Sequence, residues 1–224
     1  MRTFPVPSKD TLISFIYHTH QLERIGITYD DIHKSMTMKE SDIQINPYAC
    51  GHFKAINIVS NLARNDNLLD SFDWVKKIHE TIMIPVSNHD YYTLNPEGFP
   101  RFAAGVYRTL DKRLGKLIMP SPIKIPALLD KLRIKLKELD KKLAPKMTNL
   151  RLLTPQELED IRNTSYYANL EISCIKPFLD GSNRTARLVE NCLRLHWGMP
   201  WKIITDNQKD DYLNDLQKHQ ILPR

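Results

Sequence analysis

Apolar residues recur at spacings of three and four along most of this chain, which predicts a mostly helical protein. Ser8-Lys9-Asp10 opens a helix carrying Leu12, Phe15, Ile16, Thr19 and Leu22, with Gly26 as its stop. Pro47 begins a second helix with Phe53, Ile56, Ile58 and Leu62, and Asp70-Ser71 caps a third with Phe72, Val75, Ile78 and Ile82 on one face. Residues 88–101 read as irregular, with Pro96, Gly98 and Pro100 as breakers. Tyr107 to Ile118 departs from the helical period and reads as a short β-hairpin with a polar tip at Asp111-Lys112-Arg113-Leu114-Gly115. Pro120, Pro122 and Pro126 then lead into a helix with Leu128, Leu129, Leu132, Leu136 and Leu139, ending at Pro145. Thr154 is an N-cap with Pro155 at the first helical position, and that helix runs to about Ile175. A further helix ends near Gly198 and Pro200, and a last one covers Gln208 to Lys218. No internal repeat or low-complexity linker interrupts the pattern. The expectation is one mostly α domain over residues 1–224.

Composition narrows this picture. Seven Gly against 14 Pro, with 42% hydrophobic residues, suit a helical protein better than a turn-rich barrel or sandwich. No run of about 18 apolar residues is present, so no membrane span is expected. The first nine residues have no apolar stretch, so no cleaved signal is expected either. Cys50, Cys174 and Cys192 lack metal-ligand spacing and read as buried free thiols in a reducing compartment, which points to the cytoplasm. The formal charge of +6 is scattered along the chain, and no nucleic-acid motif accompanies it.

The stretch from Lys176 to Arg187 reads Lys-Pro-Phe-Leu-Asp-Gly-Ser-Asn-Arg-Thr-Ala-Arg, and the amphipathic run Leu188 to Leu195 follows it. A Gly-Ser-Asn turn feeding a helix N-terminus exposes backbone N–H groups at the positive end of the dipole. Arg184 and Arg187, three apart, share one face of the helix's first turns. Such a place binds phosphates. The same residues also suit a structural ion-pair network.

This block closely resembles the signature of the Fic (Fido) family, His-x-Phe-x-Asp/Glu-Gly-Asn-Gly-Arg-x-x-Arg. The order of elements over residues 8 to 220 resembles the family too, including Gly105-Val106-Tyr107-Arg108-Thr109 before the hairpin. The resemblance implies a Fic-type helical bundle with a short β-hairpin flap at 105–120 and a signature helix-loop-helix at 155–200. It also implies transfer of AMP from ATP to a protein hydroxyl, with Mg2+. Asp180 matches the magnesium ligand; Gly181, Ser182, Asn183, Arg184 and Arg187 match the nucleotide-binding positions. Thr19 and Glu23, in Thr-His-Gln-Leu-Glu-Arg, resemble an inhibitory helix at 8–28, in which Glu23 would pair with Arg187. Arg24 stands where the family has Gly or Asn. The flap residues Thr109, Leu110, Leu117 and Ile118 would pair with an extended target segment or merely cover the cleft. Fic proteins are often bacterial, and some are delivered into host cells. A protein target is implied, and a homo-oligomer is left open.

Three signature positions depart from the family. Ser182 is shorter than the usual asparagine. Asn183 replaces glycine, which either makes a left-handed backbone costlier or places its side chain in the nucleotide site. Lys176 replaces the catalytic histidine. An imidazole is partly neutral at pH 7, whereas a lysine near 10.4 must first lose its proton, at roughly 4–5 kcal/mol. Phosphates nearby would raise that cost. Two readings follow: a pseudoenzyme acting by nucleotide or protein binding, or an atypical transferase with Lys176 as a phosphate clamp.

Overall fold

The computed structural model describes residues 4–37, 46–87, 104–114 and 117–221. Eight α-helices dominate them: α1 Lys9–Gln21, α2 Tyr29–Thr37, α3 Pro47–Leu62, α4 Asp73–Ser87, α5 Ile125–Leu143, α6 Pro155–Ile175, α7 Ser182–His196 and α8 Lys209–Ile221. The start signals act as expected. Ser8 accepts from the Thr11 amide, Ser71 from the Asp73 amide, and Thr154 and Glu157 form a reciprocal capping box.

The pattern missed α2. Thr28 and Asp31 cap it reciprocally, with the Thr28 N–H donating to Asp31 Oδ2 at 2.8 Å and the Asp31 N–H to Thr28 Oγ1 at 3.1 Å. Its buried face is only Ile32 and Ser35, too little to register as a period. Residues 88–101, expected to be irregular, lie outside the described residues.

The hairpin is present but shorter than expected. β1 Arg113–Leu114 and β2 Leu117–Ile118 pair antiparallel, Arg113 opposite Ile118 and Leu114 opposite Leu117. Tyr107 to Leu110 is not part of the ladder. The Arg108 N–H donates to the Pro177 carbonyl at 2.8 Å, and its guanidinium to the carbonyls of Lys176, Leu110 and Pro120. This segment satisfies its polar groups against the Lys176 loop, so the hairpin begins only beyond it.

Helix α7 sits at the centre, packed against α1, α3, α4 and α6. The sequence reads it as amphipathic, yet every residue from Arg184 to His196 is buried. Its apolar side joins the main core with Ile16, Ile56, Val59, Ile78, Ile82 and Phe178. Its polar side is buried because neighbours supply partners. Glu190 accepts from Asn169 at 2.7 Å and pairs with Lys202 at 3.1 Å. Asn191 holds both the N–H and the carbonyl of Lys202. Arg194 donates to the Pro200 carbonyl at 2.9 Å, and His196 bridges Ala63 and Asp140. Trp197 is fully buried and donates to Asp140 at 3.0 Å, while half-buried Trp201 meets Phe15 edge-on. The three cysteines are buried as thiols, outside any disulfide. Among the described residues, no helix is long and apolar enough to cross a membrane.

The close approach of α3 to α4 depends on Gly51, where an added Cβ would lie 2.5 Å from the Ile82 carbonyl oxygen. Gly51→Ala is expected to destabilise the protein by about 1–3 kcal/mol in urea unfolding, as overpacking does. Gly26→Ala, with nothing within 4 Å of its new methyl, is expected to stay within about 0.5 kcal/mol.

Candidate functional site

Helix α6 ends at Lys176, which takes a left-handed conformation (φ 50°, ψ 60°). From there the chain turns through Pro177 to Asp180 and enters α7. The Ser182 hydroxyl closes this loop on itself, donating to the Phe178 carbonyl and accepting from the Phe178 N–H, each at 3.1 Å. Serine is short enough to do this, and its hydroxyl is turned inward rather than towards a ligand. Gly181, at φ 69°, begins α7, and no side chain caps the helix there. A Cβ on Gly181 would meet Met83 Sδ at 2.8 Å, so both the turn and the packing require glycine. Asn183 lies inside the helix, not in a left-handed turn. The left-handed cost weighed for Asn183 is therefore not incurred there; the left-handed residues of this loop are Lys176 and Gly181.

His79 from α4 holds the loop in place, and the sequence reading missed it. Its ring stacks on Phe178 with centroids 3.7 Å apart and planes 3° from parallel. Nε2 donates to the Asp180 carbonyl at 3.1 Å, and Nδ1 accepts the Gly105 N–H at 2.9 Å. One neutral tautomer thus joins the root of the flap to the loop. Burial, opposed by the bond to Asp180 and aided by Arg184, lowers its pKa to about 4. No local pattern marks this histidine, because its partners lie far away in sequence.

Both signature arginines are almost fully buried. Arg184 Nη2 donates to Asp180 Oδ2 at 3.1 Å, and its guanidinium lies over the Tyr48 ring at 5.1 Å. Arg184 Nη1 is buried with no hydrogen-bond partner. Beneath them, His20 and His52 meet ring to ring at 4.4 Å. Burial and the arginine charges lower His20 to about 3 and keep His52 neutral as well. Arg187 donates to the Thr19 hydroxyl, to the Thr19 carbonyl at 2.9 Å and to Glu23 Oε1 at 3.0 Å. The pairing of Glu23 with Arg187 is the one the resemblance implied. The turn that delivers Glu23 resembles a Schellman ending, with Ile25 N–H bonded to the His20 carbonyl and Arg24 N–H to the Gln21 carbonyl, each at 3.0 Å. Arg24 sits at φ 57°, a conformation that Gly or Asn adopts at lower cost. Burial disfavours the Glu23 carboxylate, but Arg187 and Lys176 outweigh it and hold its pKa below the ordinary value.

Lys176 and Asn183 extend this pairing into a chain. Lys176 Nζ donates to Asn183 Oδ1, and Asn183 Nδ2 reaches Glu23 Oε2 at 3.4 Å. The Asn183 side chain thus bridges Lys176 and Glu23. Lys112, just before β1, donates to the Leu179 carbonyl and adds a second amine beside Lys176. Burial lowers Lys176 to about 8, with Glu23 opposing and Lys112 and Arg187 assisting. Removing its proton at pH 7 thus costs about 1–2 kcal/mol, not the 4–5 expected from an ordinary lysine. Asp180 keeps a carboxylate about half exposed at the mouth of the loop. Among the flap residues, Thr109 and Leu110 are exposed and precede β1, while Leu117 and exposed Ile118 form β2.

No family model matches the sequence, and no curated protein matches it. Solved structures do. A Fic domain-containing signaling protein from Bacteroides thetaiotaomicron matches over 93% of this chain and 71% of its own, at 19% identity and a TM-score of 0.68. Fic-1 of C. elegans matches over 95% of this chain, at 16% identity and a TM-score of 0.62. A Fic family protein from Desulfovibrio desulfuricans matches over 92%, at 18% identity and a TM-score of 0.56. This chain spans 56% and 57% of the last two. The chain has the Fic fold.

His79 ties the site to pH. Below its ordinary value of 6.5 the unfolded chain binds a proton that the folded protein refuses until about 4. Stability therefore falls as pH drops through that window, and His20 and His52 act in the same direction. Melting temperatures measured from pH 7 to pH 4 are expected to decline, and His79→Gln is expected to flatten the slope while lowering the melting temperature at pH 7. An unchanged slope would assign the acid sensitivity elsewhere.

Proposed function

We propose that this chain is a nucleotide-binding Fic-fold protein impaired in AMP transfer to hydroxyl groups, acting through a bound nucleotide or a protein partner. One observation carries the reading: at the general-base position stands Lys176, whose Nζ donates to Asn183 Oδ1. While protonated, as it mostly is at pH 7, Lys176 has no lone pair with which to take a proton from a target hydroxyl.

The site suits an anionic ligand. The start of α7 is uncapped, and buried Arg184 Nη1 lacks a partner. Arg187 already donates to the Glu23 carboxylate, so a phosphate would compete with Glu23 for the same guanidinium. ATP would be held by the backbone of Gly181 to Arg184 and by both arginines, once Glu23 moves aside. Mg2+ would be held by Asp180 and would neutralise phosphate charge. Exposed Leu110 and Ile118 support a protein partner at the flap.

A second reading, an atypical transferase with Lys176 as phosphate clamp, draws on the pair of amines, Lys112 and Lys176, beside the start of α7. Calorimetry with Mg·ATP, combined with labelling by ATP carrying a labelled α-phosphate, separates the two. Glu23→Gly is expected to bind nucleotide about tenfold or more tighter than the wild type, the equivalent of about 1.4 kcal/mol. Acid-stable label, the mark of AMP on a hydroxyl, is expected to stay at background, even in Lys176→His, because Ser182 and Asn183 remain. Acid-stable labelling that disappears in Asp180→Ala and Arg184→Ala would establish the second reading. No binding by wild type or Glu23→Gly would end both.

A further inference from the structure

The nucleotide reading leaves one reactive group without a task. Lys176 is held at the start of α7 by two independent devices. Its left-handed backbone ends α6 at that point, and Asn183 Oδ1, on the second residue of α7, accepts from its Nζ. A left-handed lysine costs on the order of 1 kcal/mol, which persists only where the surroundings enforce it. The amine thus stands beside the first residues of α7, whose N-terminus no side chain caps.

We propose that Lys176 is itself the acceptor of a nucleotidyl group, and that this chain forms a covalent lysyl-nucleotide from a nucleoside triphosphate. This rests on the nucleotide-binding reading of the same site. In the step, the lone pair of the neutral amine forms a bond to the α-phosphorus. The bond from that phosphorus to the bridging oxygen breaks, and pyrophosphate leaves with the electron pair. The surplus amine proton passes to water. Nothing is oxidised or reduced, and no second substrate is needed.

The groups around the amine suit this role. Lys112 from the flap segment and Arg187 from α7 disfavour a further positive charge, while Glu23 beyond α1 and Cys174 on α6 favour it. The balance, with burial as the largest cause, leaves Lys176 near 8, so a usable fraction is neutral in mildly alkaline solution. Both amines are engaged, Lys112 with the Leu179 carbonyl and Lys176 with Asn183, and of the two it is Lys176 that is bonded to a residue of α7. Displacing Glu23 removes one carboxylate charge, which offsets only part of the charge that the triphosphate brings.

The test uses the full chain carrying Glu23→Gly, with Mg2+ and ATP labelled at the α-phosphate. A phosphoramidate is lost in acid and survives base, the reverse of the phosphodiester test above. Acid-labile label is expected, with one pyrophosphate released per label, and peptide mass mapping should place it on Lys176. Labelling rate should rise with pH and level off once the amine is mostly neutral. Lys176→Arg keeps the charge but not the nucleophile; it should take no label under conditions where calorimetry shows it saturated with Mg·ATP. Lys112→Arg should still be labelled. Nucleotide binding without acid-labile label, or label that survives Lys176→Arg, overturns the proposal and leaves the nucleotide reading standing. Absence of binding overturns both.

Discussion

Charged side chains inside a helical core set the terms for everything else in this protein. Helix α7 carries Arg184, Arg187, Glu190 and Arg194, and all are buried. Stranding one such charge costs about 3–5 kcal/mol, so each dictates what must pack around it. Arg187 requires Thr19 and Glu23, which fixes the end of α1 against the helix. Glu190 requires Asn169 on α6 and Lys202 in the chain beyond α7. Arg184 requires Asp180 and the Tyr48 face, which ties the loop to α3. The position of α7 at the centre of the bundle follows from these demands as much as from its apolar residues.

Strain collects around the same helix. Among the described residues, the non-glycine positions with positive φ are Arg24 and Lys176. Each ends a helix that delivers a side chain to the cleft: Arg24 follows Glu23, and Lys176 is itself the group delivered. Both conformations are held from outside. Ile25 and Arg24 bond back into α1, while Arg108 grips the carbonyls of Ile175 and Lys176. The contacts around α7 thus join two locally unfavourable backbone conformations that their surroundings compensate.

Much of the architecture was legible because periodicity and caps are local. The N-caps at Ser8, Ser71 and Thr154 and the proline starts at Pro47 and Pro155 lie where the sequence places them. Helix α2 was not legible, since its buried face is one isoleucine and one serine. The hairpin was recognised but drawn too long. What shortens it is Arg108 bonding to a loop nearly 70 residues away, which no local pattern records.

The sequence alone determined the helical class and, through its resemblance to one motif, pointed to the opposition of Glu23 to Arg187. Those depend on residue types at short spacings and on one motif. Tertiary structure decided the rest. It turned Ser182 inward, placed Asn183 in the helix rather than a left-handed turn, and made His79 the link between flap and loop. It also changed Lys176, from an ordinary ammonium far from neutrality to one drawn down to about 8. The physical reason is the same in each case. Burial and charge partners act through space, and they are fixed only when α1, α4, α6 and α7 meet.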